Sequence, residues 1–262
     1  MPERAADMAL LAEGRMAEVF EYGEGRVLKL DRPEWTGLAS FEGDVLERLA
    51  AAGLPVARPR GTVTVDGRTG LVLDRVDGPS LLAVIQGPGA DDAERRALVP
   101  RFAALQEQIN ATTVAGLPDL VPRLRNELET SVSDPGLRDE LVALLAALDD
   151  GGHGVCHFDF HPLNVLVGSR AWVVIDWLTV AAGPPTADLA RTLVLWSMRP
   201  RDRVTEFLRE VRRESVERRG IDDATLDGWV RVLAAARIAE GFGGEEAEWL
   251  MRVAGGAQRL FV

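Results

Sequence analysis

The chain has 262 residues, 47% of them hydrophobic and 27% charged, enough to bury the core of one large or two small domains. Its 41 acidic residues against 30 basic ones give a formal charge of -11, which disfavours nucleic acid and anionic membrane surfaces as partners. No apolar run approaches the roughly 18 residues of a membrane span, and the single cysteine, Cys156, has no partner for an internal disulfide, so a reducing compartment fits.

At the start of the chain Glu3, Arg4 and Asp7 precede only a brief apolar stretch, so no secretory signal is expected and a cytoplasmic location is predicted. Residues 17–22 and 26–30 read as short strands around Gly23-Glu24-Gly25, a hairpin signal. Val27 and Lys29 share one face of the second strand. A helix is predicted over residues 38–52, with Phe41, Val45, Leu46 and Leu49 as its apolar stripe and Gly53 as its stop. Residues 61–65 and 69–73 then flank Asp66-Gly67-Arg68, a second hairpin. Gly78-Pro79 and Gly87-Pro88-Gly89 punctuate the next stretch of chain, and the boundary is placed at the first pair. Residues 1–78 thus form a small β-rich lobe, and residues 79–262 a larger, mostly helical one: an α+β chain.

In the second part, helical patterns cover residues 93–110, with Pro100 as a kink, and 137–148. Further apolar stripes fall at Val204, Phe207, Leu208 and Val211, at Leu226, Trp229, Val230 and Leu233, and over residues 249–261. Between them lies a β island, residues 155–175. Its segment His157-Phe158-Asp159-Phe160-His161-Pro162-Leu163-Asn164 leads into two apolar strands around Gly168-Ser169-Arg170, ending at Asp176. If Gly168 and Ala171 bracket the turn, antiparallel pairing sets Asn164 opposite Ile175. Asn164 and Asp176 then emerge at one end of the hairpin. Such a pair of oxygen donors suits Mg²⁺, which takes one or two carboxylates plus substrate phosphates.

Two other readings of this island stand beside that one. Asp and Asn at strand ends are often turn formers that bond their own backbone. His153, His157 and His161, spaced four apart beside Cys156 and Asp159, could form a transition-metal cluster. That spacing aligns ligands only on a helix, however, and Gly151-Gly152, Gly154 and Pro162 argue against one. A compositional oddity adds to the picture. The basic residues are 29 arginines and one lysine, Lys29, in a chain that elsewhere uses arginine throughout. An ammonium differs from a guanidinium where a compact point charge is wanted.

The pattern His157-x-Asp159-x-x-x-x-Asn164, with Asp176 after a strand and Lys29 in an upstream β lobe, resembles the aminoglycoside phosphotransferase family. These are small-molecule kinases with a two-lobed, protein-kinase-like fold. The resemblance spans roughly residues 8–200. It implies that Asp159 is the catalytic aspartate, that Asn164 and Asp176 hold Mg²⁺, and that Lys29 contacts the α- and β-phosphates of ATP while pairing with Glu42. Glu47 is the competing partner for Lys29. The run from Gly70 to Gly78 resembles the family's interlobe connection, implying adenine contacts at the Asp74 carbonyl and the Val76 amide, with Leu73 behind the base. GTP is the alternative nucleotide. The turn from Glu13 to Glu18 would cover the phosphates, and Asp188 would brace the catalytic loop. Phe158 departs from the family, which often has glycine there; it stiffens the loop and touches no assigned role.

The resemblance implies transfer of a phosphoryl group to a hydroxyl of a small molecule: an aminoglycoside, another amino sugar or an amino alcohol. An inactive nucleotide-binding relative is the alternative, opposed by the presence of every ionic part. A protein kinase fits poorly, because only 12 positions separate Asp176 from Asp188, too few for a regulated activation segment. Residues 188–262, which should shape the acceptor pocket, carry 13 acidic and 13 basic residues. Only Glu240, Glu245, Glu246 and Glu248 form a local acidic cluster that could attract a polycation, and a solvated helix face explains it equally well.

Overall fold

The computed structural model describes residues 4–87, 89, 91–198 and 202–261; Glu3 and Pro88 lie outside them. The strands are β1 (Leu10–Glu13), β2 (Ala17–Glu21), β3 (Arg26–Asp31), β4 (Pro59–Val65), β5 (Arg68–Asp74), β6 (Gly154–Cys156), β7 (Val165–Val167), β8 (Trp172–Val174) and β9 (Ala181–Gly183). The helices are α1 (Leu38–Ala51), α2 (Leu81–Gln86), α3 (Asp92–Asn110), α4 (Leu120–Ser131), α5 (Pro135–Leu148), α6 (Pro185–Trp196), α7 (Arg203–Arg219), α8 (Asp223–Arg237) and α9 (Gly244–Ala254). Among the described residues no helix is long and apolar enough to cross a membrane.

The chain divides into two compact units: Met1–Leu81 with Leu163–Leu178, and Leu82–Pro162 with Thr179–Val262. The first break between the units falls between Leu81 and Leu82. The β7–β8 hairpin, assigned by linear order to the helical part, instead groups with the first unit. The reason is backbone bonding: Val167 N–H donates to Pro79 O at 2.8 Å and Val174 N–H to Pro55 O at 2.8 Å.

In the first unit the antiparallel sheet runs β1-β2-β3-β5-β4. Asp66 and Gly67 form the β4–β5 turn, with φ of 50° and 73°. Positive φ at both central positions is what a two-residue hairpin turn of matching twist requires. Arg68 therefore belongs to the strand, opposite Val65, rather than to the turn. Phe20, Tyr22, Leu28, Leu30, Val65 and Val72 bury together on the sheet. On α1 the buried stripe is Glu42, Val45, Leu46 and Leu49, the i, i+3, i+4, i+7 set of one helix face. Phe41, expected in that stripe, sits one position off it and is 36% exposed.

Gly78 has φ 139°, and a Cβ there would lie 2.2 Å from the Val167 carbonyl oxygen. Glycine lets residues 78–80 run against β7. Gly78→Ala is expected to destabilise the protein by about 1–3 kcal/mol from backbone strain alone, with the clash added. Gly25→Ala, also at positive φ but with nothing within 4 Å, supplies the control. Equal urea midpoints for the two variants would show that the close approach carries no weight.

The second unit packs α4, α5, α6, α8 and α9 around a core that includes Leu124, Leu128, Leu141, Leu145, Leu193, Trp229 and Leu233. Side chains start its helices: Asp91 and Glu94 make a reciprocal capping box on α3, and Asp202 and Asp222 cap α7 and α8. The last helix spans Gly244–Ala254 rather than residues 249–261, because Gly255 and Gly256 end it. Strands β6 and β9 pair antiparallel, placing residue 157 just beyond the end of a strand.

Candidate active site

In the first unit, three predicted site residues meet. Lys29 lies on β3 with Val19 and Leu71 as its cross-strand neighbours. Its Nζ lies 2.7 Å from Glu42 Oε2 and 2.9 Å from Asp176 Oδ1. Glu42 is a carboxylate in the core stripe of α1, only 2% exposed, and a buried charge is tolerable only when paired. Its other oxygen accepts the Trp177 N–H at 3.1 Å. Glu47, the competing partner for Lys29, faces solvent. Burial alone would lower the Lys29 pKa; Glu42 and Asp176 reverse this and hold it above its ordinary value. Burial raises the Glu42 carboxyl, against the pull of Lys29.

Asp176 follows β8 in a left-handed conformation, φ 65°, and its side chain is 38% exposed. Val165 pairs with Val174, and Ile175 N–H donates to Asn164 O at 3.0 Å, so the hairpin register sets Asn164 opposite Ile175. Asn164 is buried. Both are oxygen donors, a set that suits a hard divalent cation. Trp177, fully buried, donates its indole N–H to Val174 O at 3.0 Å and so fixes the chain beyond Asp176. Nothing in the sequence marks it for this role except a tryptophan outside any strand or helix.

Leu73 and Asp74 end β5, with Val27 and Arg26 as cross-strand neighbours. The Asp74 carboxylate takes a bidentate bond from Arg60, Nε at 2.7 Å and Nη2 at 2.6 Å, which lowers its pKa. Val76 lies two residues on, its side chain 3.8 Å from where a Cβ added at Gly168 would stand. In the turn between β1 and β2, Gly14 N–H donates to Ala17 O at 2.9 Å.

Asp159 lies in the second unit, in a loop whose backbone is held at nearly every residue. Thr179 Oγ1 donates to His157 O at 2.9 Å, Asp159 N–H to His157 Nδ1 at 3.2 Å, and Thr192 Oγ1 to Phe160 O at 2.7 Å. Asp188, wholly buried on α6, accepts the Phe158 N–H at 2.7 Å through one oxygen. Its other oxygen accepts Asn110 Nδ2 at 2.9 Å and Gln106 Nε2 at 3.1 Å. Asp188 is thus a brace. His161 Nε2 stands 3.5 Å from Asp159 Oδ1. Burial would raise the Asp159 pKa, but the bond to His161 and the charges of His161, His157 and Arg191 hold it below its ordinary value. In the sequence His161 stands out as a member of the four-spaced histidine set and as the residue two after Asp159, but nothing there assigns it a place beside the carboxylate.

Among the described residues no group of three or more His, Cys, Asp and Glu is arranged to hold a metal. Cys156 is buried, and burial pushes its thiol well above the ordinary value. Glu240, part of the acidic cluster, is paired with both Arg191 and Arg237.

A lysine on a small antiparallel sheet, paired with a helical glutamate, and an aspartate in a braced loop before a hairpin are features of kinase-like enzymes. A family profile described as "Phosphotransferase enzyme family" matches residues 8–233, and the chain belongs to that family. No curated protein sequence matches it. Among solved structures it is similar to a thermostable mutant of aminoglycoside phosphotransferase APH(4)-Ia in apo form, with TM-score 0.70 and 19% identity over 97% of this chain and 96% of that one. The same enzyme as a ternary complex with AMP-PNP and hygromycin B gives 0.69 and 16% over 96% and 92%. Amicoumacin kinase hAmiN in complex with AMP-PNP, Ca²⁺ and Ami gives 0.63 and 16% over 96% and 88%. The fold is kinase-like, with a β-rich N-terminal part and a larger, mostly helical C-terminal part, and the protein is a phosphotransferase.

Proposed function

We propose that the protein transfers the γ-phosphoryl group of ATP to a hydroxyl of a small molecule. The observation that carries this reading is Lys29 held between Glu42 and Asp176, a buried charge cluster with one carboxylate still open to solvent. In the proposed reaction the acceptor oxygen bonds to the γ-phosphorus. The bond from that phosphorus to the β–γ bridging oxygen breaks, ADP leaves, and the hydroxyl proton passes to Asp159. A base must start deprotonated, and the lowered pKa of Asp159 meets that need near neutral pH.

Lys29 would neutralise the α- and β-phosphates. Leu73, the Asp74 carbonyl and the Val76 amide would receive the adenine. Asn164 and Asp176 would hold Mg²⁺, whose chemistry there is to neutralise phosphate charge. The acceptor class proposed is an aminoglycoside, another amino sugar or an amino alcohol, supported by family membership and by the hygromycin B named with one structural neighbour. Antibiotic resistance follows only if the acceptor is an antibiotic. A cytoplasmic location, where ATP is abundant, is part of the same reading.

The test is acceptor-dependent ADP release over a panel of amino sugars, sugars, amino alcohols and macrolides, run with ATP and with GTP. Absence of any acceptor-dependent release would overturn the reading. Asp176→Ala removes a partner of Lys29 and a carboxylate of the proposed cation site. It is expected to abolish Mg²⁺-dependent ATP binding in calorimetry. Unchanged affinity would count against the role given to Asp176.

A further inference from the structure

Phe158 stands immediately before Asp159 with φ 65°, a left-handed conformation that is costly for any residue with a bulky side chain. Glycine would adopt it freely. Such a conformation persists only where its surroundings over-determine it, and here they do. The N–H donates to Asp188 Oδ1 at 2.7 Å and the carbonyl accepts Arg191 Nε at 3.2 Å. The ring, 1% exposed, lies under two guanidiniums, with Arg123 Cζ 4.7 Å and Arg191 Cζ 5.0 Å from its centroid. Each cation is attracted by the ring's electron-rich face. The two arginines are themselves anchored. Arg123 donates to Thr179 O at 3.1 Å and pairs with Glu127 at 3.0 Å, while Arg191 pairs with Glu240. Thr179 in turn holds His157 O, so the clamp on the ring grips the backbone on one side of Asp159 and Arg191 grips it next to Asp159.

We propose that Phe158 is a positioning residue for Asp159: its ring, gripped by Arg123 and Arg191, holds the left-handed turn that sets the Asp159 carboxylate beside His161. The proposal rests on the reading of Asp159 as the base. A glycine at 158 would accept the backbone angle but leave the two arginines without the ring between backbone and charge. The turn would then have other angles open to it, and Asp159 would wander. Misplacement of a reacting group by about 1 Å can cost roughly 10²-fold in rate.

The test compares Phe158→Gly and Phe158→Leu with the wild type by two readings. One is the kcat and the KM for ATP, with the best acceptor of the panel or with water itself as acceptor. The other is the ¹³C titration of the Asp159 carboxyl, which His157, His161, Arg191 and Arg237 face. Expected are a kcat lower by about 10²-fold, an unchanged KM for ATP, and a carboxyl midpoint that moves up as the contact with His161 is lost. Leucine keeps apolar bulk without an aromatic face and should shift both readings the same way. Should Phe158→Gly fail to fold, Phe158→Leu decides. Wild-type kcat together with a wild-type carboxyl titration would overturn the proposal and leave the ring as core filling. If instead Asp159→Asn retains full transfer, the base assignment falls, while the carboxyl titration still decides whether the ring places residue 159.

Discussion

Asp159→Asn is expected to lower acceptor-dependent ADP release by about 10²–10⁴-fold, the range that a positioned general base contributes, and to leave Mg²⁺–ATP affinity unchanged. The substitution is nearly isosteric. The Asp159 N–H bond to His157 Nδ1 involves the backbone and survives, and an amide oxygen can still face His161 Nε2. What disappears is the capacity to take a proton. The native carboxyl is kept ionised by His161, His157 and Arg191 despite its burial, so at neutral pH the wild type is ready to act and the amide never is. Turnover equal to wild type would remove Asp159 from the chemistry.

Lys29→Arg should lose roughly 10²-fold in turnover although the charge is kept. Lys29 Nζ fits between two carboxylate oxygens at 2.7 and 2.9 Å, one of them on a residue that is almost wholly buried. A guanidinium is planar and wider, and cannot place one nitrogen where the ammonium sits without moving Glu42 or Asp176. Displacing Glu42 would also disturb the bond it accepts from Trp177. The protein should remain folded, since both carboxylates keep a cationic partner; circular dichroism checks this. In a chain with 29 arginines, wild-type turnover in this variant would make Lys29 an accident of composition.

The parts of the site that were legible in the sequence are those set by local rules. The register of the β7–β8 hairpin follows from a short turn and two apolar strands, so the opposition of Asn164 and Ile175 could be read directly. The β-rich and helical parts were legible in the pattern of the chain, and the kinase-like fold through the family resemblance carried by His157, Asp159, Asn164 and Asp176. Where local rules give way, tertiary contact decides. An apolarity count selects Phe41 for the buried stripe of α1, yet the helix turns Glu42 inward, because Lys29 and the Trp177 N–H compensate its charge. No rule of periodicity places a carboxylate in a core. The unit to which the hairpin belongs depends on bonds to Pro55 and Pro79, far away in sequence. The left-handed angle at Phe158 is invisible to propensity, which expects glycine there. The early stop of the last helix reflects Gly255 and Gly256, a signal present in the sequence that the apolar run on either side of it obscures.

The buried Cys156 makes the native chain close to silent towards thiol reagents, since its only sulfhydryl is both inaccessible and hard to deprotonate. Any cysteine introduced at the surface would therefore be the one fast-reacting position, and a fluorophore could be attached to a single chosen residue without first deleting a native thiol. The slow alkylation of Cys156 itself becomes a gauge of a different kind. It sits at the end of β6, beside the loop that carries Asp159, so its labelling rate counts the openings of that part of the fold. Saturating nucleotide or acceptor that steadies this region would be seen as slower labelling, with no assay of turnover required.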